Sequence, residues 1–370
     1  MTEKPSNSLE NCQHRYNFYG RRSSNQLSKK RQNYVKKYLP LFTPKGISVE
    51  ENPLRRPLNF ESVYKRKCQI WMEIGYGSGE HLLELAKENP DICFLGCEPY
   101  KDGTAKFLIS LSDKNIIEAV LIPTEKRITA CISSQVGCSL DCDFCATSKI
   151  SRMRNLNFYE IFDQTMILNT ESSKLFGRTI SNIVFMGMGE PLLNYKNVLK
   201  AIEMICSKKG LGISKKKITV STSGISKIIK ILADQNVKFN LAVSLHSAIE
   251  KTRNDIMPFS KDFPLNELLD SLNYWYKKTK SKITIEYLVW QAINDNMHHI
   301  NSLVDFCVKV PSKVNLIEFN EIGNLKFKTP QNMWIQKYIE ILKANNISVS
   351  VRRSRGKDIN AACGQLANKI

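Results

Sequence analysis

Six short aliphatic and β-branched runs, at 181–186, 216–221, 239–244, 283–290, 314–319 and 348–353, alternate with six segments of helical periodicity. Those segments fall at 158–169, 198–207, 226–234, 265–278, 297–308 and 331–344. No other pattern in the chain narrows its fold so far. A helix between two strands carries the chain back to the same end of the sheet, so successive strands lie parallel. The expected class is α/β, with the six repeats forming an open or partial (β/α)6 barrel. In such a barrel, chemistry gathers at the C-terminal ends of the strands.

Ahead of the first of these strands stand Cys138, Cys142 and Cys145, spaced Cys-x3-Cys-x2-Cys. Three thiolates on one loop suit three irons of a 4Fe–4S cluster and leave the fourth iron open for chemistry. Zinc is the other reading, but it usually takes four ligands, commonly in two pairs. No second Cys pair or His partner lies nearby in the chain. Gly189 and Glu190 follow the run at 181–186, where glycine permits close backbone approach and the carboxylate can accept from an ammonium group.

Composition bounds the setting. The 11 cysteines of the 370-residue chain are scattered, which argues against a secreted disulfide scaffold and for a cytoplasmic protein. No signal peptide is read at the start, and no apolar run approaches the ~18 residues of a membrane span. The net charge of +19 points to a polyanionic partner such as nucleic acid.

Three regions are expected: a basic, partly disordered arm at 1–60, a partial Rossmann-like β-α-β segment at 61–106, and the main core at 107–370. The arm carries nine Lys or Arg against two Glu in its first 40 residues. In the second region a strand at 69–74 leads into Gly75, Gly77 and Gly79, then a helix at 80–88, a strand at 92–97 and Glu98. Glycines before a helix and an acidic residue after the second strand are features of a nucleotide-binding half-unit. Two paired strands are expected at 105–110 and 116–122.

From about Lys101 onward the chain resembles the RlmN/Cfr family of radical S-adenosylmethionine (SAM) dual-specificity RNA methyltransferases. The residues that carry the resemblance are Glu118 and its apolar surroundings, the run from Ser133 through Cys145, Gly-Met-Gly-Glu-Pro at 187–191, Ser221 to Gly224, Ser244-Leu245-His246, Asn320, and Ala361 to Leu366. The resemblance implies a radical SAM barrel that methylates C2 of adenosine in 23S rRNA and tRNA. It implies one 4Fe–4S cluster on Cys138, Cys142 and Cys145, two SAM molecules per turnover, and an electron donor such as flavodoxin. Gly189, Glu190, Ser221, Ser244, Leu245, His246 and Asn320 would bind SAM. Cys363 would carry the methyl group, Cys131 would resolve the protein–RNA adduct by forming a disulfide with Cys363, and Glu118 would act as general base. Read without the family, Cys131 and Cys363 are more simply buried thiols and His246 a structural hydrogen bond. Cys206 and Cys307 are expected on buried helix faces. Arg352, Arg353, Arg355 and Lys357 are candidates for RNA phosphates.

Residues from about 15 to 106 resemble a different family, the tRNA (guanine-N7-)-methyltransferases, in Phe18 to Arg22, in Trp71 to His81 and in Phe94 to Tyr100. They stand where the RlmN/Cfr family has a small helical accessory domain. The later strands of that second family, and its Pro-Asp-Pro-Trp-like loop, do not follow. The alternatives to adenine-C2 methylation are therefore guanine-N7 methylation or RNA binding by this segment, or methylation of adenine at C8 by the core.

Overall fold

A computed structural model describes residues 69–74, 88–89, 92–97, 103–322, 326–357 and 359–367. The basic arm, the glycine-rich turn at 75–79, most of the helix expected after it, and Glu98 lie outside the described residues. The chain divides between Pro99 and Tyr100 into two compact units. In the first, β1 (Gln69–Ile74) pairs in parallel with β2 (Ile92–Cys97), Gln69 opposite Ile92 and Ile74 opposite Cys97. A parallel pair needs a crossover between its strands, as the β-α-β reading requires.

In chain order the second unit has β3 (Ala105–Ser110), β4 (Ile116–Pro123), β5 (Ile128–Cys131) and two short strands, β6 (Gln135–Val136) and β7 (Arg154–Asn155). Then follow α1 (Phe158–Phe176), β8 (Asn182–Phe185), α2 (Tyr195–Cys206), β9 (Ile218–Thr222), α3 (Ser226–Asp234), β10 (Asn240–Ser244) and α4 (Glu250–Ile256). The unit closes with α5 (Leu265–Thr279), β11 (Ile283–Leu288), α6 (Met297–Lys309), β12 (Ser312–Ile317), α7 (Asn332–Ala344) and β13 (Ser348–Arg352). One nine-stranded sheet has the order β13-β12-β11-β10-β9-β8-β5-β4-β3. From β5 to β13 its neighbours are parallel, while β3–β4 and β4–β5 are antiparallel.

All six expected parallel strands are present, but they are not the whole parallel set. β5 is the first member, so the cysteine loop follows a parallel strand and leaves from its C-terminal end. Four residues are too few to show a period in sequence, and β5 acquires its identity only by pairing with β4 on one side and β8 on the other. Helix α1 also runs further than expected, to Phe176. Its polar second half stays helical and ends at Gly177, whose left-handed φ of 64° closes the last turn with an N–H bond to Ser173.

Parallel strands covered on both faces lose the in–out alternation of a half-exposed sheet, and β11 is buried at every position. The core between sheet and helices includes Trp275, Tyr287 and Tyr338, all fully buried. The sheet is curled without closing on itself, since β3 and β13 are its two edges. Chain beyond β13 reaches back to the other edge: Arg355 Nη1 donates to the Pro123 carbonyl (2.7 Å) and Ala367 N–H to Glu118 on β4 (3.0 Å). This is the partial barrel expected. Among the described residues no helix is long and apolar enough to cross a membrane.

One buried amide ties the cysteine region to the strand layer. Asn194, 3% exposed, donates to the carbonyls of Ser134 (2.8 Å) and Leu156 (2.7 Å), which flank the β6–β7 ribbon. Asn194→Ala leaves the Leu156 carbonyl unpaired and the Ser134 carbonyl with only the Leu156 N–H (3.1 Å), so unfolding free energy should fall by about 1–3 kcal/mol in a denaturant titration.

Candidate active site

The cysteine loop leaves β6 and returns through β7, with Gln135 opposite Asn155 and Val136 opposite Arg154. Arg154 anchors that ribbon by two 2.8 Å bonds to Glu160 at the start of α1 and one of 2.6 Å to Asp113. Inside the loop, Cys145 N–H donates to the Cys142 carbonyl (3.1 Å) and Cys138 N–H to that of Ile150 (3.2 Å). The Ser148 hydroxyl reaches the carbonyls of both Cys142 and Cys145 at 2.7 Å. So wrapped, Cys138, Cys142 and Cys145 line one cavity. Burial pushes all three thiols up, Cys138 to about 12, and each is raised further by neighbouring thiols. Holding such a trio as thiolates calls for positive charge among them, which cluster iron supplies. Among the described residues, no three His, Cys, Asp or Glu side chains meet as a single metal ion would require. A 4Fe–4S cluster takes each thiolate on a different iron, so the donor set fits the cluster better than zinc.

The rest of the cavity wall comes from the ends of the parallel strands. After β8, Gly189 has φ 92°, and a Cβ there would overlap the Gln135 side chain. Gln135 Oε1 accepts the Glu190 N–H (2.8 Å), so one ribbon residue sets both members of the Gly-Glu pair. Glu190 is 2% exposed and accepts from the N–H groups of Leu192 (2.9 Å) and Ser223 (2.8 Å). Burial raises its pKa and these donors oppose the rise.

Arg253 of α4 is fully buried and joins three carbonyls: Ser223 after β9 (2.6 Å), Ser244 at the end of β10 (2.9 Å), and Leu245. It thereby sets the spacing of two strand ends. His246, at φ 55°, accepts the Leu288 N–H on Nδ1 (3.1 Å) and presents its ring to Phe144 at 4.7 Å. Burial, helped by Arg253, pushes its pKa down to about 3, so the ring is neutral and its proton sits on Nε2. Asn320 donates to the Cys363 carbonyl (3.1 Å), while its Oδ1 is buried without a partner.

The segment from Cys363 to Ala367 lies against the cysteine loop. Ala146 N–H donates to the Gly364 carbonyl and the Thr147 hydroxyl to that of Leu366, both at 2.7 Å. Cys363 lines the cavity. Cys131, at the end of β5, is 6% exposed; burial pushes its thiol up to about 12, Cys363 adds to the rise, and Arg352 opposes it. Arg352 is itself raised, first by Cys363 and also by Glu286 and Cys131. These side chains therefore share one electrostatic neighbourhood, in which both cysteines are free thiols. Glu118 is fully buried, with Lys106 Nζ at 3.2 Å from Oε1 and the Ala367 N–H at 3.0 Å from Oε2.

Of the residues singled out in sequence, the three loop cysteines, Gly189, Glu190, Ser221, Ser244, His246, Asn320 and Cys363 line this one cavity. Leu245, Cys131 and Glu118 are not among its lining residues. Leu245 is buried and acts through its backbone, donating to the Glu286 carbonyl and accepting from Arg253. The basic stretch at 352–357 is not a single RNA-facing strip, because Arg352 lines the cavity and Lys357 pairs with Glu318 (2.9 Å). Cys307 is buried as expected; Cys206 is only half-buried. Gln135, Arg253 and Glu286 were not singled out. Gln135 adjoins the cysteine motif and Arg253 follows the Ser-Leu-His run, but their partners are distant in sequence.

The "Radical SAM superfamily" profile matches residues 132–304, and the profile described as "Putative methyltransferase" matches residues 67–129. "Probable dual-specificity RNA methyltransferase RlmN" of Flavobacterium psychrophilum is 62% identical over 268 residues, covering 72% of this chain and 77% of that protein. The protein of the same description from Flavobacterium johnsoniae is 59% identical over the same shares. A crystal structure of a radical SAM methyltransferase from Sphaerobacter thermophilus aligns with a TM-score of 0.71 at 35% identity, covering 73% of this chain and 80% of that one. A partial barrel with three cysteines at the C-terminal ends of its strands is thus the catalytic unit of a radical SAM methyltransferase. Its cofactors are a 4Fe–4S cluster and SAM, and such enzymes need a reductant. Within that class, the chain belongs to the RlmN family of dual-specificity RNA methyltransferases.

Gly189→Ala should displace Gln135 and Glu190 together. The expected result is at least about a tenfold loss of SAM affinity by equilibrium dialysis, with iron content retained. His246 provides a pH test. Its folded pKa of about 3 lies below the ordinary 6.5, so as pH falls the unfolded chain binds the proton first. The stability it contributes is complete above pH 6.5 and is lost toward pH 3. His246→Asn keeps an acceptor for Leu288 N–H without titrating, and should flatten the acid-side fall by up to about 1.4 kcal/mol per pH unit.

Proposed function

We propose that this enzyme places a methyl group on C2 of adenosine in 23S rRNA and tRNA, by way of a methylated Cys363. The observation that carries the reading is the shared neighbourhood of Cys131, Cys363 and Arg352, the last two of which line the same cavity as Cys138, Cys142 and Cys145. Two further thiols beyond the three loop cysteines are what a carrier-and-resolver scheme needs.

In this reading Cys138, Cys142 and Cys145 each hold one iron. Glu190 accepts from the SAM ammonium, the backbone at Gly189 approaches it closely, and Ser221, Ser244, Leu245, His246 and Asn320 hold the remainder, Leu245 through its backbone. When bound, cluster and SAM supply the methyl carbon and the radical chemistry that joins it to the base. Adenine C2 is an electrophilic amidine carbon, so a polar SN2 transfer cannot methylate it.

Cys363 carries the methyl carbon to the base as a thioether. Glu118 removes the C2 proton, after the Ala367 N–H bond to its Oε2 opens, and the unpaired electron left on the adduct would pass back to the cluster. Cys131, giving up its proton as it reacts, with Arg352 favouring the thiolate, then attacks the sulfur of Cys363. The S–S bond forms as the C–S bond breaks, and the released electron pair on the methylene carbon takes a proton to give the methyl group. An external thiol reduces the disulfide before the next turnover. Electrons come from a flavodoxin-like donor, and the cytoplasm, which keeps thiols reduced, is the compartment that suits this cycle.

Residues 100–370 form the catalytic core, 61–99 a partial methyltransferase unit, and 1–60 a basic arm for RNA. The profile match at 67–129 and the parallel β1–β2 pair favour a second reading, guanine-N7 methylation by the N-terminal unit. Nucleoside mass spectrometry separates the possibilities. RNA treated with anaerobically reconstituted protein should contain 2-methyladenosine, abolished in Cys363→Ala, and Cys131→Ala should accumulate a covalent protein–RNA adduct. A fully cluster-loaded enzyme that makes only 8-methyladenosine, or only 7-methylguanosine without reductant, would overturn the assignment.

A further inference from the structure

One charged side chain of the cavity has no role in the scheme above. Glu286 of β11 lines the cavity at 3% exposure, with Ser244 of β10 opposite it on one side and Asn315 of β12 on the other. Its Oε1 accepts from Asn315 Nδ2 (3.1 Å), and Asn315 Oδ1 accepts in turn from the Ser350 hydroxyl. Ser350 faces Asn315 across β12–β13. Three adjacent strands therefore orient one carboxylate. Its second oxygen, Oε2, is buried and no donor reaches it. Leaving a buried carboxylate oxygen unpaired is costly, and the relay that aims this one makes it a prepared acceptor.

We propose that Glu286 is a further ligand-binding residue of this cavity, and that its Oε2 accepts a hydrogen bond from an adenosine, through the exocyclic amine or a ribose hydroxyl. A carboxylate accepts only, and it repels phosphate and carboxylate, so RNA phosphates and the SAM carboxylate are excluded as partners. The SAM ammonium is assigned to Glu190, which electrostatically influences Cys138 and Cys142. Glu286 instead acts on Arg352, and Arg352 on Cys363. In the adenine-methylation reading, SAM's adenosine and the target adenosine are the ligands of this cavity that carry such neutral donors. The inference rests on the adenine-methylation reading, since it supplies both adenosines.

The test uses cluster-loaded enzyme with Glu286→Gln, which keeps the shape and one acceptor, and Glu286→Leu, which keeps neither charge nor acceptor. SAM affinity is measured by calorimetry without RNA, and the KM for RNA at saturating SAM. If the donor belongs to SAM, SAM affinity falls about 10- to 100-fold in Glu286→Leu, less in Glu286→Gln, and the KM for RNA holds. If it belongs to the target, SAM affinity holds and the KM for RNA rises by the same order. Ser350→Ala, outside the cavity lining, should move the same constant by a smaller factor. Unchanged constants in folded Glu286→Leu would overturn the inference and leave the reaction assignment standing. Wild-type enzyme that binds SAM but forms no methyladenosine would overturn the assignment and the target arm, while the SAM arm is still read from calorimetry.

Discussion

Parallel strands that end on one side of a sheet bring their unpaired backbone groups to the same place, and buried backbone groups must find partners. In this enzyme those partners are a few long side chains, each joining two or three separate segments. Arg253 collects carbonyls from the ends of β9 and β10. Asn294 accepts from Trp290 N–H and donates to the carbonyls of His246 and Leu288. Glu190 binds N–H groups on two loops, and Asn194 holds both flanks of the cysteine ribbon. The cavity keeps its shape because each wall is bonded to the next.

The open edge of the sheet gives the chain's last segment its task. Because β3 and β13 do not pair, the chain after β13 can cross the gap, bond to the cysteine loop through Gly364 and Leu366, and reach Glu118 on β4. That path carries Cys363 to the cavity and into the neighbourhood of Cys131. It also covers the carboxylate expected to act as base. On the proposed scheme, a base role for Glu118 would couple to movement of the segment that bears Cys363.

Much of the fold was legible because its elements are long and strongly patterned. The six strand runs between 181 and 353 and their intervening helices follow from periodicity alone. β5 was not legible: its four residues show no period, and only its neighbours on both sides make it a strand. The trio Cys138, Cys142 and Cys145 and the Gly189–Glu190 pair were legible as local motifs. Gln135, Arg253 and Glu286 were not, since each acts on segments far away in the chain and resembles an ordinary polar residue until the strands are assembled.

By itself, the sequence determined the α/β class, the cluster loop, the family resemblance and the set of cysteines available for reaction, because these reside in spacing along the chain. Tertiary structure alone decided which groups meet. It turned Arg352 from an expected phosphate contact toward two thiols, engaged Glu118 with Lys106 and the chain's end, and left one oxygen of the cavity residue Glu286 buried without a partner. The physical reason is range: a motif forms from neighbours along the chain, whereas burial, pairing and shared electrostatic fields depend on distances that only folding creates.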